Sequence, residues 1–376
     1  MEKSFDFRPI KLPPEEENLI FEIYEIIKDY RADDVVKDKG TSVEQIRNWI
    51  IQFNENDRDF ILSEMKNILE KRYYSKGRTK IYLKSIIQKI ARDYDYISME
   101  KFLKETYFLY LHKQKENMSQ NILNKLVGDI LIEEYNISID DCGSRIKKNF
   151  IFLDDVLATG NTLYYEIKPW LEENNKFYLN KLLNRDITLS FVYIFIHQYN
   201  RKKKENQLKK LNIKIKNSKV ILSDKYYNWY YAEEIVDDIV KPIEKNISDL
   251  VLNYQKRIEE LVDEYTYSKV PEWSNNKVFE RSKPEFYRFY KKDSCEKLFT
   301  SVENRIRFEK IILEKGIKII NSWKNIDEKN CRALGYPVPS HKNFGFGALC
   351  FSWNNIPNNC PVVFWNDDYP LFKRRN

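Results

Sequence analysis

The sequence has few of the residues that build metal clusters, and no apolar run long enough to cross a membrane. It has only three histidines, and its five cysteines are odd in number and widely spaced, with no CxxC pair. We therefore expect no zinc site, and reduced thiols in a cytoplasmic protein. The longest apolar run, residues 189–196, is too short to span a bilayer, and the first residues lack a signal-peptide pattern. No membrane partner is expected.

Charge of one sign does not dominate the sequence either. Lys and Arg number 64 against 57 Asp and Glu, which gives a net charge of +7, and the two signs are mixed along the chain. This balance fits a nucleic-acid partner or a solvated mixed surface, and the mixing favours the surface. Hydrophobic residues make up 42% of the chain, enough for a packed core, and its 376 residues suggest two or three domains.

Residues 1–100 have the pattern of a helical accessory domain. An acidic start follows two prolines, and Ser42 and Gln45 have the spacing of a capping box. A later helix is predicted to end near Gly77. Residues 71–78 are basic and aromatic, so they fit either a winged-helix-like surface for nucleic acid or, as we favour, a solvated helix end with packed tyrosines.

Residues 101–225 alternate between apolar strand patterns and amphipathic helix patterns. The predicted strands are residues 107–111, 149–153, 187–196 and 213–222, with the third in the centre of the sheet and the fourth at its edge. Strands that alternate with helices normally form a parallel sheet. We therefore predict an α/β core with an open, mainly parallel sheet.

Residues 226–376 are predicted to form an irregular α+β extension. A helix is predicted over residues 226–254, and its acidic residues at 233, 234, 237 and 238 fit a metal site or, as we favour, a solvated face. A second helix is predicted over 296–325. The tail is predicted to contain two short strands around the turn at 357–359.

The strongest chemical signal lies in residues 150–162. Four apolar residues lead directly into Asp154 and Asp155, and a loop with Gly160 and two threonines precedes a helical pattern. Ligands of open parallel sheets bind beyond the carboxyl ends of the strands, and the start of a helix attracts anions. The pattern therefore predicts a ligand with hydroxyl groups or a divalent cation beside a phosphate, as in a phosphorylated ribose.

This stretch resembles the motif with which type I phosphoribosyltransferases bind 5-phosphoribosyl 1-diphosphate (PRPP). The motif has four hydrophobic residues, two acids, two hydrophobic residues, a variable residue and then Thr-Gly-Gly-Thr. The sequence departs from it only at Asn161, and asparagine also tolerates a left-handed turn.

The resemblance implies a set of site residues. Asp154 and Asp155 would be the catalytic acids that engage the ribose hydroxyls, directly or through Mg²⁺. The ligand's 5′-phosphate would be held by the loop Ala158, Thr159, Gly160, Asn161 and Thr162. The pyrophosphate loop of the family follows an earlier strand, and Lys113 and Lys115 take that place here.

The wider layout resembles a bacterial group of phosphoribosyltransferase-like proteins in conflict and anti-phage defence operons, some of them retron-associated. The likeness lies in residues 49–53, 56–59 and 73–76, the Thr-Gly-Asn loop, and residues 357–365. It implies a phosphoribosyltransferase that binds PRPP or a related nucleotide. The alternatives are a catalytically silent nucleotide sensor, or a subunit of a defence complex that binds nucleic acid or a protein encoded nearby. An oligomer is compatible with each, and the acceptor substrate is left open.

Overall fold

The fold was analysed in a computed structural model of the chain. The residues that it describes are 12–33, 40–111, 119–158, 161–197, 200, 218–226, 239–268, 285–288, 296–324 and 326–374. The helices are α1 (Pro14–Ile27), α2 (Val43–Ile50), α3 (Glu55–Arg72), α4 (Lys76–Asp93), α5 (Met99–Lys104), α6 (Ser119–Tyr135), α7 (Asn161–Asn184), α8 (Asp249–Ser268) and α9 (Val302–Ser322). The strands are β1 (Tyr73–Tyr74), β2 (Thr106–Phe108), β3 (Asn149–Leu157), β4 (Thr188–His197), β5 (Ser218–Tyr226) and β6 (Phe351–Ser352).

Four of these strands form a parallel sheet in the order β2-β3-β4-β5. The α/β class is therefore confirmed, as are the central place of the strand predicted at 187–196 and the edge position of the last strand. That edge strand begins at Ser218, and residues 201–217 lie outside the described part of the chain. Apolar side chains cover both faces of β3 and β4, which suits strands packed between helices.

The N-terminal helices form as predicted, but the end of one helix and one side-chain contact differ from the prediction. Helix α3 stops at Arg72 and not near Gly77, because Tyr73 and Tyr74 are extended and pair with β6. The Ser42 hydroxyl accepts the backbone N–H of Gln45 at 3.1 Å, so the predicted cap is confirmed. The reciprocal half of the capping box is wrong. The Gln45 amide donates instead to the Leu371 carbonyl, at 2.7 Å.

The C-terminal tail packs on the N-terminal helices and shares their core. The Trp49 indole N–H donates to the Val363 carbonyl at 3.0 Å, and both residues are fully buried. Only one of the two predicted tail strands forms, because residues 362–364 turn as a short 3-10 helix. The division into domains at residues 100 and 225 stays a prediction.

The segment before α8 is not helical where it is described, although a helix was predicted from 226 to 254. Helix α8 begins only at Asp249, because residues 239–243 are extended and bridge to Ala348 and Arg288. The four acidic residues at 233–238 lie outside the described residues. No helix within the described ranges is long and apolar enough to cross a membrane.

Gly347 lets the tail approach this segment. Its φ is +74°, and a Cβ at this position would lie 2.2 Å from the Val240 carbonyl oxygen. The substitution Gly347→Ala is therefore expected to lower the free energy of unfolding by at least about 1–3 kcal/mol, measured by urea denaturation.

The matched control is Gly77→Ala, near the start of α4. The nearest atom to a Cβ there is the Ser75 hydroxyl, 4.0 Å away. Alanine should be neutral at this position or raise stability by up to about 1 kcal/mol. Equal effects of the two substitutions would contradict a specific close approach at Gly347.

Candidate functional site

The acid pair lies inside β3 and not beyond its end. Sequence analysis ended this strand at Leu153, and that boundary is wrong by four residues. Pairing with β4 continues past the apolar run, with Asp154 opposite Tyr193 and Leu157 opposite Ile196. Because β3 continues to Leu157, the two carboxylates lie within the carboxyl-terminal part of this central strand.

Asp154 is a buried carboxyl group, with only 6% of its surface exposed. Its Oδ1 atom accepts the Ser119 hydroxyl at 2.6 Å and the backbone N–H of Asp155 at 2.9 Å. Burial raises the pKa of Asp154 well above its usual value, and the neighbouring charge of Asp155 raises it further.

Asp155 is half-buried and accepts the backbone N–H of Val156 at 2.8 Å. Burial raises the pKa of Asp155 as well, although its hydrogen bonds oppose the shift. Burial raises the pKa values of both adjacent carboxyl groups, and a bound cation would lower them.

A third carboxylate lies one turn into α7. Glu166 accepts a short hydrogen bond from the Gln120 amide, and its charge contributes to the raised pKa of Asp154. Tyr193, opposite Asp154 on β4, is buried, and burial followed by the Asp154 charge raises its pKa. Sequence reasoning missed Ser119, Glu166 and Tyr193. The signal for Glu166 was its position four residues after Thr162, on the first turns of the helix that follows the loop.

The predicted phosphate loop joins β3 to α7. The Ala158 carbonyl accepts the Asn200 amide at 2.8 Å, which ties the start of the loop to the chain beyond β4. Helix α7 begins at Asn161, so Asn161 and Thr162 provide backbone N–H groups at a helix start. Thr159 and Gly160 lie outside the described residues, and so do Lys113 and Lys115.

His197 closes the carboxyl end of β4 and is completely buried. Its Nδ1 atom accepts the backbone N–H of Asn200 at 3.4 Å, and its ring lies 5.1 Å from that of Phe346 in the tail. Burial lowers the pKa of His197 to about 3, with a further contribution from the Lys241 charge. The imidazole is therefore neutral at physiological pH. Its contacts with Asn200 and Phe346 help to pack the end of β4 against the tail.

The described residues include no group of three or more His, Cys, Asp or Glu side chains that could hold a metal ion. Mg²⁺ does not require such a group, because it is commonly bound by one or two carboxylates together with substrate phosphates and water. Asp154 and Asp155 offer only oxygen donors, and both carry the raised pKa values described above. This donor set fits Mg²⁺ that arrives with a phosphorylated substrate.

The buried pair predicts how stability depends on pH. A raised pKa means that folded Asp154 keeps a proton that the unfolded chain releases, so stability falls as the pH rises from the ordinary aspartate value of 3.8. Asp154→Asn keeps an acceptor for Ser119 without a charge. We expect it to raise the free energy of unfolding at neutral pH by about 0.5–2 kcal/mol and to flatten the decline with pH.

Urea denaturation from mildly acidic to neutral pH measures both effects, with the exposed Asp140→Asn as the control. A lower stability of Asp154→Asn at neutral pH would contradict the prediction, because it would mean that the folded protein stabilises the ionised carboxylate.

The fold and the site together define an α/β protein with adjacent carboxylates in the carboxyl-terminal part of a central parallel strand, followed by a short loop and the start of a helix. In this class, ligands bind at that edge of the sheet. The PRTase-CE family model matches residues 46–374, and the chain belongs to that family. It is thus a phosphoribosyltransferase-like protein. Comparisons with curated proteins and with solved structures gave no match.

Proposed function

We propose that the protein binds PRPP, or a related phosphoribosyl nucleotide, together with Mg²⁺ at Asp154 and Asp155. The observation that carries this proposal is the placement of two adjacent carboxyl groups on a central parallel strand, directly before a loop and a helix start. Membership of the PRTase-CE family supports it, as does the match of residues 150–162 to the type I motif.

Each part of this site has a role in the proposed binding. The carboxylates of Asp154 and Asp155 would hold the ribose hydroxyls and Mg²⁺. The backbone N–H groups of Asn161 and Thr162 would bind the 5′-phosphate at the start of α7. When bound, Mg²⁺ neutralises charge on the pyrophosphate. The Ser119 hydroxyl, which donates to Asp154, would keep that carboxyl group in place.

In the proposed reaction, the bond between the anomeric carbon of PRPP and its pyrophosphate oxygen breaks. A nucleophilic atom of the acceptor forms the new bond to that carbon, and pyrophosphate leaves with the bonding electron pair. The transition state resembles an oxocarbenium ion, as in other glycosyl transfers. The carboxylates and the ligand oxygens would stabilise its developing positive charge.

Titration calorimetry with PRPP, with and without Mg²⁺, tests the binding step. We expect binding only with Mg²⁺ and a release of protons, because Asp154 must ionise to meet the cation. Buffers with different ionisation enthalpies reveal that release. PRPP that fails to bind, or that binds equally well without Mg²⁺, would reject the proposed site.

Turnover is separate from binding. Release of pyrophosphate from PRPP on addition of cell extract would identify a transferase. Binding without release would favour the alternative of a nucleotide-sensing subunit in an anti-phage defence complex. Co-purification of nucleic acid that is lost at high salt would identify a nucleic-acid-associated subunit.

A further inference from the structure

A cleft opens between the edge strand β2 and helix α7, on the face of the sheet that α7 covers. Its volume is about 760 Å³, within the range of small-molecule sites. Its walls come from residues 107–111, from Lys147 and Phe150 at the start of β3, and from residues 165–178 of α7. Asp154 and Asp155 do not line it. The cleft is therefore considered separately from the acid pair.

Aromatic rings form much of the wall of this cleft. The rings of Trp170 and Tyr178 are stacked, with centroids 4.5 Å apart, and the Phe150 ring lies 5.3 Å from Trp170. The ring of Tyr107 continues this surface 6.1 Å from Phe150. Tyr165 also belongs to the wall and is 69% exposed. The faces of such rings are electron-rich and attract cations.

One side chain of the protein already makes such a contact in the cleft. The Lys147 ammonium lies over the face of Tyr107, 4.1 Å from the ring centroid. An ammonium group of a ligand would find the same attraction at the rings further along the wall.

The charged residues of the cleft are mostly acidic. Glu166, Glu172 and Glu173 lie on α7, against Lys147 as the one cation among the described lining residues. Within the described part of the chain, the carboxylates of Glu172 and Glu173 form no hydrogen bond or ion pair. An anionic ligand would be repelled here, and a neutral ligand would cover the carboxylates without compensating their charge. The charge of the cleft therefore favours a cationic ligand.

The spacing of the acids favours a ligand with more than one positive charge. Glu166 and Glu173 are seven residues apart in α7. Seven residues of a helix make two turns on the same face, a rise of about 10 Å. Pro169 and Trp170 lie between the two acids on that face and also line the cleft. An apolar surface thus separates two acidic ends, which matches an alkyl chain with an ammonium group at each end.

We propose that this cleft binds an aliphatic polyamine, with its ammonium groups at the three carboxylates and its alkyl chain on the aromatic wall. The ammonium groups donate hydrogen bonds to the carboxylates and lie against the ring faces. The methylene groups of the ligand cover apolar surface between them. This is a second ligand site, and its preference for charge is opposite to that of a site for a phosphorylated ribose.

Titration calorimetry with 1,8-diaminooctane tests the proposal, because its alkyl chain is long enough to span two helical turns. The matched probe is 1,8-octanediol, which has the same chain with neutral hydroxyl ends. We expect saturable binding of the diamine and binding of the diol that is weaker by roughly ten-fold or more.

Variants locate the binding in the cleft. The double substitution Glu172→Gln/Glu173→Gln should weaken binding of the diamine by roughly three- to ten-fold. Tyr165→Leu keeps an apolar side chain without the ring and should weaken it by roughly two- to five-fold. The matched control is Asp367→Asn/Asp368→Asn, an adjacent pair of exposed acids on the tail, which should bind the diamine as the wild type does. Circular dichroism checks that every variant is folded.

Three outcomes overturn the proposal. The first is a diamine that does not bind the wild type. The second is a diol that binds as tightly as the diamine, because charge would then have no part in binding. The third is an equal affinity for the diamine in the glutamine variant and in the control. Neither probe contains a phosphate, so these results do not depend on whether PRPP binds.

Discussion

Replacing Asp154 and Asp155 together by asparagine is expected to lower the affinity for PRPP and Mg²⁺ by about 100-fold or more. Each carboxylate would give up charge-assisted hydrogen bonds worth roughly 1.5–3 kcal/mol, and 1.4 kcal/mol corresponds to a factor of ten. Titration calorimetry measures the change. The Asn side chains keep the acceptor atoms for Ser119 and for the backbone, so the fold should persist.

A second pair of adjacent aspartates provides the control. Asp140 and Asp141 follow each other in a short 3-10 helix and are exposed. Their double substitution by asparagine removes the same charge and should leave the affinity for PRPP unchanged. An equal loss of affinity in both double variants would mean that net charge, and not the acid pair, determines binding.

The largest effect on stability is expected at Glu309 in α9. Its side chain is completely buried between two arginines, with Oε2 accepting Arg288 at 2.9 Å and Oε1 accepting Arg305 at 2.9 Å. Glu309→Ala leaves both guanidinium groups buried with less compensation. The free energy of unfolding should fall by about 3–5 kcal/mol in urea denaturation.

Glu303→Ala is the control for this experiment. Glu303 lies on the same helix, is exposed, and should cost no more than about 1 kcal/mol through the helix dipole. A small loss for Glu309→Ala would mean that the arginines find other partners. The backbone N–H of Lys241 also donates to Glu309, at 3.2 Å. The substitution should therefore also loosen the extended segment next to His197.

The sequence predicted the parts of the fold that depend on neighbouring residues. The pattern of apolar residues predicted α6 and the central strand β4. In a helix or a buried strand, the order of apolar and polar residues over a short segment shows which sides are buried. The end of α3 could not be found in this way. It is set by the pairing of Tyr73 with Phe351, and local propensity contains no information on that distant partner.

In the candidate site, too, the residues that are neighbours in the sequence could be predicted, and those that come from distant parts of the chain could not. Asp154, Asp155 and the loop after them form one continuous stretch, so a motif could identify them. Ser119 and Glu166 lie on two helices that pack near Asp154. Ser119 has no local signal, and Glu166 is marked only by its position four residues after Thr162. The apolar run stops at Leu153, so the hydropathy pattern placed the end of β3 there. The backbone pairing with β4 continues beyond it, with Asp154 opposite Tyr193, and hydropathy carries no information on that pairing.

The contacts between the first helices and residues 363–373 have a consequence for synthesis of the chain. Trp49 contacts a carbonyl 314 residues away, and the Tyr30 hydroxyl donates to the Lys373 carbonyl at 2.7 Å. At roughly 5–20 residues per second, the ribosome needs about 15–60 s to make the partner of Trp49 after Trp49 itself. During that time the residues that pack against the apolar faces of the first helices have not yet been made. We therefore expect this core to form only after residues 363–373 have been made, and a chain truncated before Val363 to be aggregation-prone.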